Sequence, residues 1–122
     1  MTARVLIAED EPNIVESLSF LLKREGLDVT AVLDGEETLR ALQADAPDVV
    51  ILDVMLPSMD GFSILKQIRA DPRLKALRVI VLTAKGQAQD RRTAEEIGAD
   101  AFITKPFSNR DVVERVRRLA GL

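Results

Sequence analysis

Five short apolar runs punctuate the chain: Val5–Ala8, Val29–Val32, Val49–Leu52, Val79–Leu82 and Ala101–Ile103. The first, third and fourth are almost continuously apolar, as parallel strands covered on both faces are. The second carries Asp28 and Thr30, which suits the edge of a sheet. Between the runs the apolar spacing becomes helical. Ile14, Leu18, Leu21 and Leu22 form one stripe, opened by Pro12 and closed by Gly26. Asp34 and Glu37 have the spacing of a capping box ahead of Leu39 and Leu42. A third helix is expected from Gly61 through Ile64, Leu65 and Ile68, ending before Pro72. A fourth, weakly apolar, runs from Ala88 to Ile97 and stops at Gly98. The fifth opens at Ser108 as N-cap, with Asp111 three residues on, and buries Val112, Val116 and Leu119.

Strand and helix alternate throughout, which predicts an α/β fold: a (βα)5 doubly wound, five-stranded parallel sheet with right-handed crossovers. The expected strand order is 2-1-3-4-5, the flavodoxin-like arrangement. No linker, repeat or low-complexity stretch interrupts the pattern, so residues 1–122 read as a single domain. In such sheets ligands sit beyond the carboxyl ends of the strands, where the strand order reverses. Here that point lies between strands one and three.

Those two strands end in acids, Glu9-Asp10 and Asp53. Carboxylates gathered at one sheet edge repel one another and lose hydration, so the cluster needs compensation. A hard divalent cation supplies it, because Mg²⁺ favours a few carboxylates together with waters and a phosphate. The acids therefore point to metal-assisted phosphoryl chemistry. Each has a plainer reading as well. Asp10 or Glu11 would serve as cap for the helix opening at Pro12, and Asp53 would serve as an ordinary turn residue. Thr83 and Lys105 would then simply end a strand and decorate the surface. What favours the functional reading is that all of them fall at the same edge of one sheet.

Composition removes competitors. The chain has no cysteine, histidine, tryptophan or tyrosine. Disulfides, thiolate chemistry, imidazole bases, zinc sites built on His or Cys, and serine–histidine triads are thereby excluded. A net charge of −3 gives no electrostatic case for direct nucleic-acid binding or for an anionic membrane surface. The N-terminal residues lack a secretory h-region, and no apolar run is long enough to span a bilayer. A cytoplasmic protein is the expectation.

The motifs Ala8-Glu9-Asp10-Glu11-Pro12, Leu52-Asp53-Val54-Met55-Leu56-Pro57, Met59-Asp60-Gly61, Leu82-Thr83-Ala84 and Lys105-Pro106-Phe107 occur in order along nearly the full length. In this set the chain resembles the receiver (CheY-like) domain of the two-component response-regulator family, whose strand order is also 2-1-3-4-5. The resemblance implies that Asp53 accepts a phosphoryl group from the phosphohistidine of a sensor histidine kinase or phosphotransfer protein. It implies that Asp10 and Asp53 bind Mg²⁺ directly with the backbone carbonyl of Met55, and that Glu9 acts through a water. Lys105 would contact a phosphoryl oxygen, and Pro106 would follow a cis peptide bond. Thr83 would be the switch: its hydroxyl bonds the phosphoryl group, Ala84 leaves room, the loop from Thr83 to Gln87 moves in, and Phe102 turns inward. An ordinary core aromatic is the alternative reading of Phe102, which lacks the hydroxyl of the tyrosine many relatives carry.

The same resemblance makes Met55 and Lys85 the residues that tune hydrolysis, and neither is suited to orient a water, so a long-lived phosphoryl group is expected. The densely charged stretch from Ala88 to Leu122 reads either as a solvated face or as a homodimer face. In the second reading Arg91 pairs with Asp111 and Asp100 with Arg115 across the dimer. Kinase recognition would fall on Asn13 to Ser17 and Lys105 to Phe107. No effector domain is expected within these residues, which leaves a stand-alone regulator and the first domain of a longer protein both open. Two other classes fit the residues less well. A haloacid-dehalogenase-like phosphatase needs an Asp where Met55 stands, and a flavodoxin-like flavin carrier needs a phosphate loop that does not follow strand one. A degenerate receiver used only for docking would not keep every site residue.

Overall fold

The computed structural model of the chain describes residues 2–84 and 88–122. Strands β1 (Arg4–Ala8), β2 (Asp28–Val32), β3 (Val49–Asp53), β4 (Arg78–Thr83) and β5 (Ala101–Thr104) alternate with helices α1 (Pro12–Arg24), α2 (Gly35–Ala44), α3 (Gly61–Ala70), α4 (Ala88–Ile97) and α5 (Asn109–Leu119). The sheet is parallel in the order β2-β1-β3-β4-β5. Ladder pairing carries several strands into the polar residues flanking their apolar runs, so Arg4, Asp28, Asp53, Thr83 and Thr104 belong to the sheet.

Residues alternate between the two faces of the sheet and build two apolar layers. Leu6, Val50, Leu52, Val79 and Val81 pack against Leu42 of α2, Ile64, Leu65 and Ile68 of α3, and Ala94 of α4. Val5, Ile7, Val49, Ile51, Ile80 and Leu82 face the other way, against Leu18 and Leu22 of α1 and Val112 and Val116 of α5. Removal of apolar surface from water on both faces is the main stabilising contribution. It also explains why the central strands show no polar alternation. β2 is an edge, and Val32 is its one buried residue.

Helix ends follow local chemistry in some places and not in others. After α1, Gly26 takes φ +85, its N–H bonds the Lys23 carbonyl, and the Leu27 N–H bonds the Leu22 carbonyl, which is a Schellman closure. Asp34 accepts from the Glu37 N–H at 2.8 Å, as its spacing predicts. Ser108 occupies the N-cap of α5 without a side-chain capping bond. Neither Asp10 nor Glu11 caps α1: Glu11 is the N-cap residue but its carboxylate makes no capping bond.

Gly61 matters directly to the site. A Cβ there would come within 2.4 Å of the Asp53 carbonyl oxygen and 2.9 Å of the Val54 Cα. Its N–H also bonds the Val54 carbonyl at 2.9 Å. The start of α3 is thus pressed against the backbone that carries Asp53. No helix is long and apolar enough to cross a membrane among the described residues.

Candidate functional site

Parallel register brings the carboxyl ends of β1, β3 and β4 together. Ala8 pairs with Leu52, Asp53 with Leu82, and Thr83 with Thr104. The backbone continues the alignment past the strands: the Glu9 N–H bonds Val32, the Val54 N–H bonds Leu82, and the Lys105 N–H bonds Thr83. Glu9, Asp53, Thr83 and Lys105 therefore meet at one edge because the apolar runs behind them pair in register.

One carboxylate oxygen from each of Glu9, Asp10 and Asp53 lies within 4.8 Å of the others. Glu9 is wholly buried, Asp53 is 2% exposed and Asp10 faces solvent. Glu9 Oε2 accepts from the N–H groups of Asp10 (3.0 Å) and Glu11 (3.2 Å), the two residues that lead into α1. Its other oxygen, Oε1, has no aligned hydrogen bond among the described residues and lies 2.8 Å from the Lys105 ammonium as an ion pair. Lys105 Nζ also lies 3.3 Å from Asp53 Oδ2, and Asp53 Oδ1 accepts from the Met55 N–H at 3.3 Å. The Lys105–Pro106 peptide bond is cis.

One ammonium facing three carboxylates leaves the pocket with surplus negative charge. Burial pushes the Glu9 carboxyl up to about 7; the Asp53 charge adds to this, while Lys105 and the Glu11 N–H oppose it. Burial alone would lower the Lys105 ammonium, but Glu9 and Asp53 outweigh it and hold its pKa above the ordinary lysine value. A buried carboxylate oxygen without an aligned donor, beside two further oxygens of like charge, is the donor set that a hard divalent cation satisfies.

The folded-state pKa of Glu9 exceeds the ordinary value of 4.5, so the folded state binds the proton more tightly between pH 4.5 and about 7. Its contribution to stability is fully present below 4.5 and is lost as pH rises through about 7. Thermal melts in the presence of chelator should show declining stability across that window, and Glu9→Gln should flatten the decline. An unchanged slope in Glu9→Gln would contradict the assignment.

The switch residues predicted from sequence, Thr83 and Phe102, both make contacts with α4. Thr83 is buried, and its hydroxyl donates to Asp90 Oδ2 at 2.9 Å, a partner that sequence reasoning missed. Only the fold reveals it, since Asp90 lies in the first turn of α4 and carries no motif of its own. Phe102 is half-buried, packs against the layer on the α3–α4 side, and has the Arg91 guanidinium 5.9 Å over its ring. Ala84 is exposed. Lys85 and residues 85–87 of the expected moving loop lie outside the described residues.

On the charged face, Arg91, Asp111 and Arg115 are exposed, and Arg91 pairs with Glu95 within α4. Asp100 is engaged inside the chain. Its carboxylate accepts from the Val79 N–H at 2.8 Å and pairs with Arg69 at 3.0 Å and Arg78 at 3.4 Å. A pair with Arg115 across a dimer would compete with these bonds.

Comparisons agree with the geometry. A family model described as the response regulator receiver domain matches residues 5–117. The alkaline phosphatase synthesis transcriptional regulatory protein PhoP of Bacillus subtilis is 40% identical over 119 residues, which make up 98% of this chain and 49% of that protein. The chain spans about half the length of the curated relatives it matches. Among solved structures, the signal receiver domain of a signal transduction histidine kinase from Syntrophus aciditrophicus is 35% identical with a TM-score of 0.91, covering 98% of this chain and 91% of that one. The receiver domain of sensor histidine kinase PA1611 from Pseudomonas aeruginosa, described with a magnesium ion coordinated in its active-site cleft, is 28% identical with a TM-score of 0.84 and full coverage of both chains. With its strand order, its acid pocket and a family model matching almost end to end, the chain belongs to the response-regulator receiver family.

Proposed function

We propose that Asp53 is the phosphoryl acceptor of this two-component receiver domain, taking the group from the phosphohistidine of a sensor histidine kinase or phosphotransfer protein. The observation that carries the assignment is the pocket itself: Asp53 is buried beside Glu9 and Asp10, and Lys105 reaches both Glu9 and Asp53. An Asp53 oxygen attacks phosphorus, the P–N bond breaks, and the electron pair leaves with the imidazole. Lys105 swings its ammonium from the carboxylates onto a phosphoryl oxygen and stabilises the added charge. Asp10, Asp53 and the Met55 carbonyl would hold Mg²⁺, and Glu9 would act on it through a water. When bound, the ion neutralises charge on the carboxylates and on the phosphoryl oxygens. The magnesium described for the PA1611 receiver supports this reading. Acetyl phosphate with Mg²⁺ should load one phosphoryl group per chain, and omission of Mg²⁺ should prevent it; loading indifferent to the ion would contradict the reading.

Thr83 and Phe102 are the proposed switch, biasing two arrangements of the α4–β5–α5 face once the phosphoryl group is present. The phosphoryl group persists for minutes or more, since the exposed Met55 thioether is a poor acceptor for an attacking water. Loss of label within seconds, followed by timed quench, would refute that. In the loaded state residues 88–122 form a homodimer face in which Arg91 meets Asp111 and Arg115 meets Asp100 of a second copy. Sedimentation of the domain carrying beryllium trifluoride should report a dimer, and a persistent monomer would refute it.

A further inference from the structure

Thr83 has a single hydroxyl proton, and in this structure that proton is spent on Asp90. The bond is 2.9 Å long, Thr83 is 1% exposed, and Asp90 sits in the first turn of α4. A hydroxyl donates one hydrogen bond at a time. Thr83 therefore cannot donate to Asp90 and to a phosphoryl oxygen on Asp53 together. The next residue, Arg91, places its guanidinium over Phe102, the other proposed switch residue. Consecutive residues of one helical turn thus hold both.

We propose that Asp90 is a positioning residue that withholds the Thr83 hydroxyl from the phosphoryl group, so that activation is an exchange of acceptor: Thr83 leaves the Asp90 carboxylate for a phosphoryl oxygen. This rests on the assignment of Asp53 as acceptor and Thr83 as its hydroxyl partner. The exchange frees the first turn of α4 from the sheet, and Arg91 moves with it, uncovering Phe102 and becoming available to a second chain. Asp90 acts as the counterweight in a two-state equilibrium, and its removal shifts the populations toward the loaded arrangement before any modification.

A competing, purely structural role exists, because an acid in the first turn of a helix also stabilises that helix through its dipole. The two roles separate in a double-mutant cycle. Asp90→Ala and Asp90→Asn are each made alone and in a Thr83→Ala background, and beryllium trifluoride affinity is measured at saturating Mg²⁺. A bond from a hydroxyl to a carboxylate predicts roughly tenfold tighter binding in Asp90→Ala, a smaller gain in Asp90→Asn, and no gain from either when Thr83 is Ala. Mg²⁺ affinity should be the same in Asp90→Ala and the parent, since Asp90 lies outside the acid cluster. An unchanged or weakened affinity in both single variants overturns the proposal, as does a gain that survives in the Thr83→Ala background. If Asp90→Ala does not fold, Asp90→Asn carries the comparison by itself. Failure of the parent to bind beryllium trifluoride with Mg²⁺ would instead overturn the acceptor assignment, and this inference with it.

Discussion

Asp53→Asn loses phosphoryl uptake from acetyl phosphate to background, a drop of roughly 10⁴-fold or more. The amide keeps the shape of the carboxylate, and its oxygen can still accept from the Met55 N–H that Asp53 Oδ1 bonds at 3.3 Å. What it lacks is the nucleophilic oxygen pair. Folding should survive, because the strand that carries the residue is fixed by Val49 to Leu52, all wholly buried. Intact mass with and without acetyl phosphate, beside a thermal melt, checks both halves. Retained uptake in a folded Asp53→Asn protein would move the acceptor elsewhere, and with no histidine or cysteine in the chain few nucleophiles could take the role.

Asp10→Asn weakens Mg²⁺ binding on the order of 100-fold, and uptake at a fixed, subsaturating Mg²⁺ falls with it. Asp10 is the exposed member of the cluster, so it contributes little to packing and its removal relieves repulsion on Glu9 and Asp53. The metal-free domain should accordingly be no less stable than the parent. Calorimetric titration with Mg²⁺ reads the first effect and chelator melts the second. Wild-type Mg²⁺ affinity in Asp10→Asn would remove that residue from the metal set. The contrast with Asp53→Asn is informative: extra Mg²⁺ should rescue uptake in Asp10→Asn and never in Asp53→Asn.

Much of this molecule is visible in its pattern of apolar positions. β1, β3 and β4 read as central strands because burial on both faces leaves no room for polar alternation, and the polar Asp28 and Thr30 marked β2 as an edge. α4 was recognisable despite a single wholly buried residue, Ala94, because Gly98 closes it. The acid pocket followed from topology, since parallel strands in this order leave their last residues at one edge. Helix caps were less legible. Asp10, Glu11 and Ser108 have the right chemistry for capping, yet a cap also needs the side chain aimed back at the helix. At α1 the Glu11 carboxylate makes no such bond.

Partners formed only by tertiary approach were invisible. Thr83 and Asp90 are joined by the placement of α4 against the end of β4. Asp100 looked like a surface acid free to pair across a dimer, whereas Arg69, reaching over from α3, and Arg78 at the start of β4 both converge on it. Arg69 also donates to the carbonyls of Lys75 and Leu77 before β4 and of Gly98 before β5, so it ties two loops at that end of the sheet. Local spacing carries no information about such cross-element bonds, because each depends on how separate elements settle against one another.

Fluorine NMR of the domain with beryllium, fluoride and Mg²⁺ tests the pocket most directly. The account predicts one set of bound beryllium trifluoride resonances that appears only with Mg²⁺ and is absent in Asp53→Asn. Bound resonances that form without Mg²⁺, or that persist in Asp53→Asn, would contradict it.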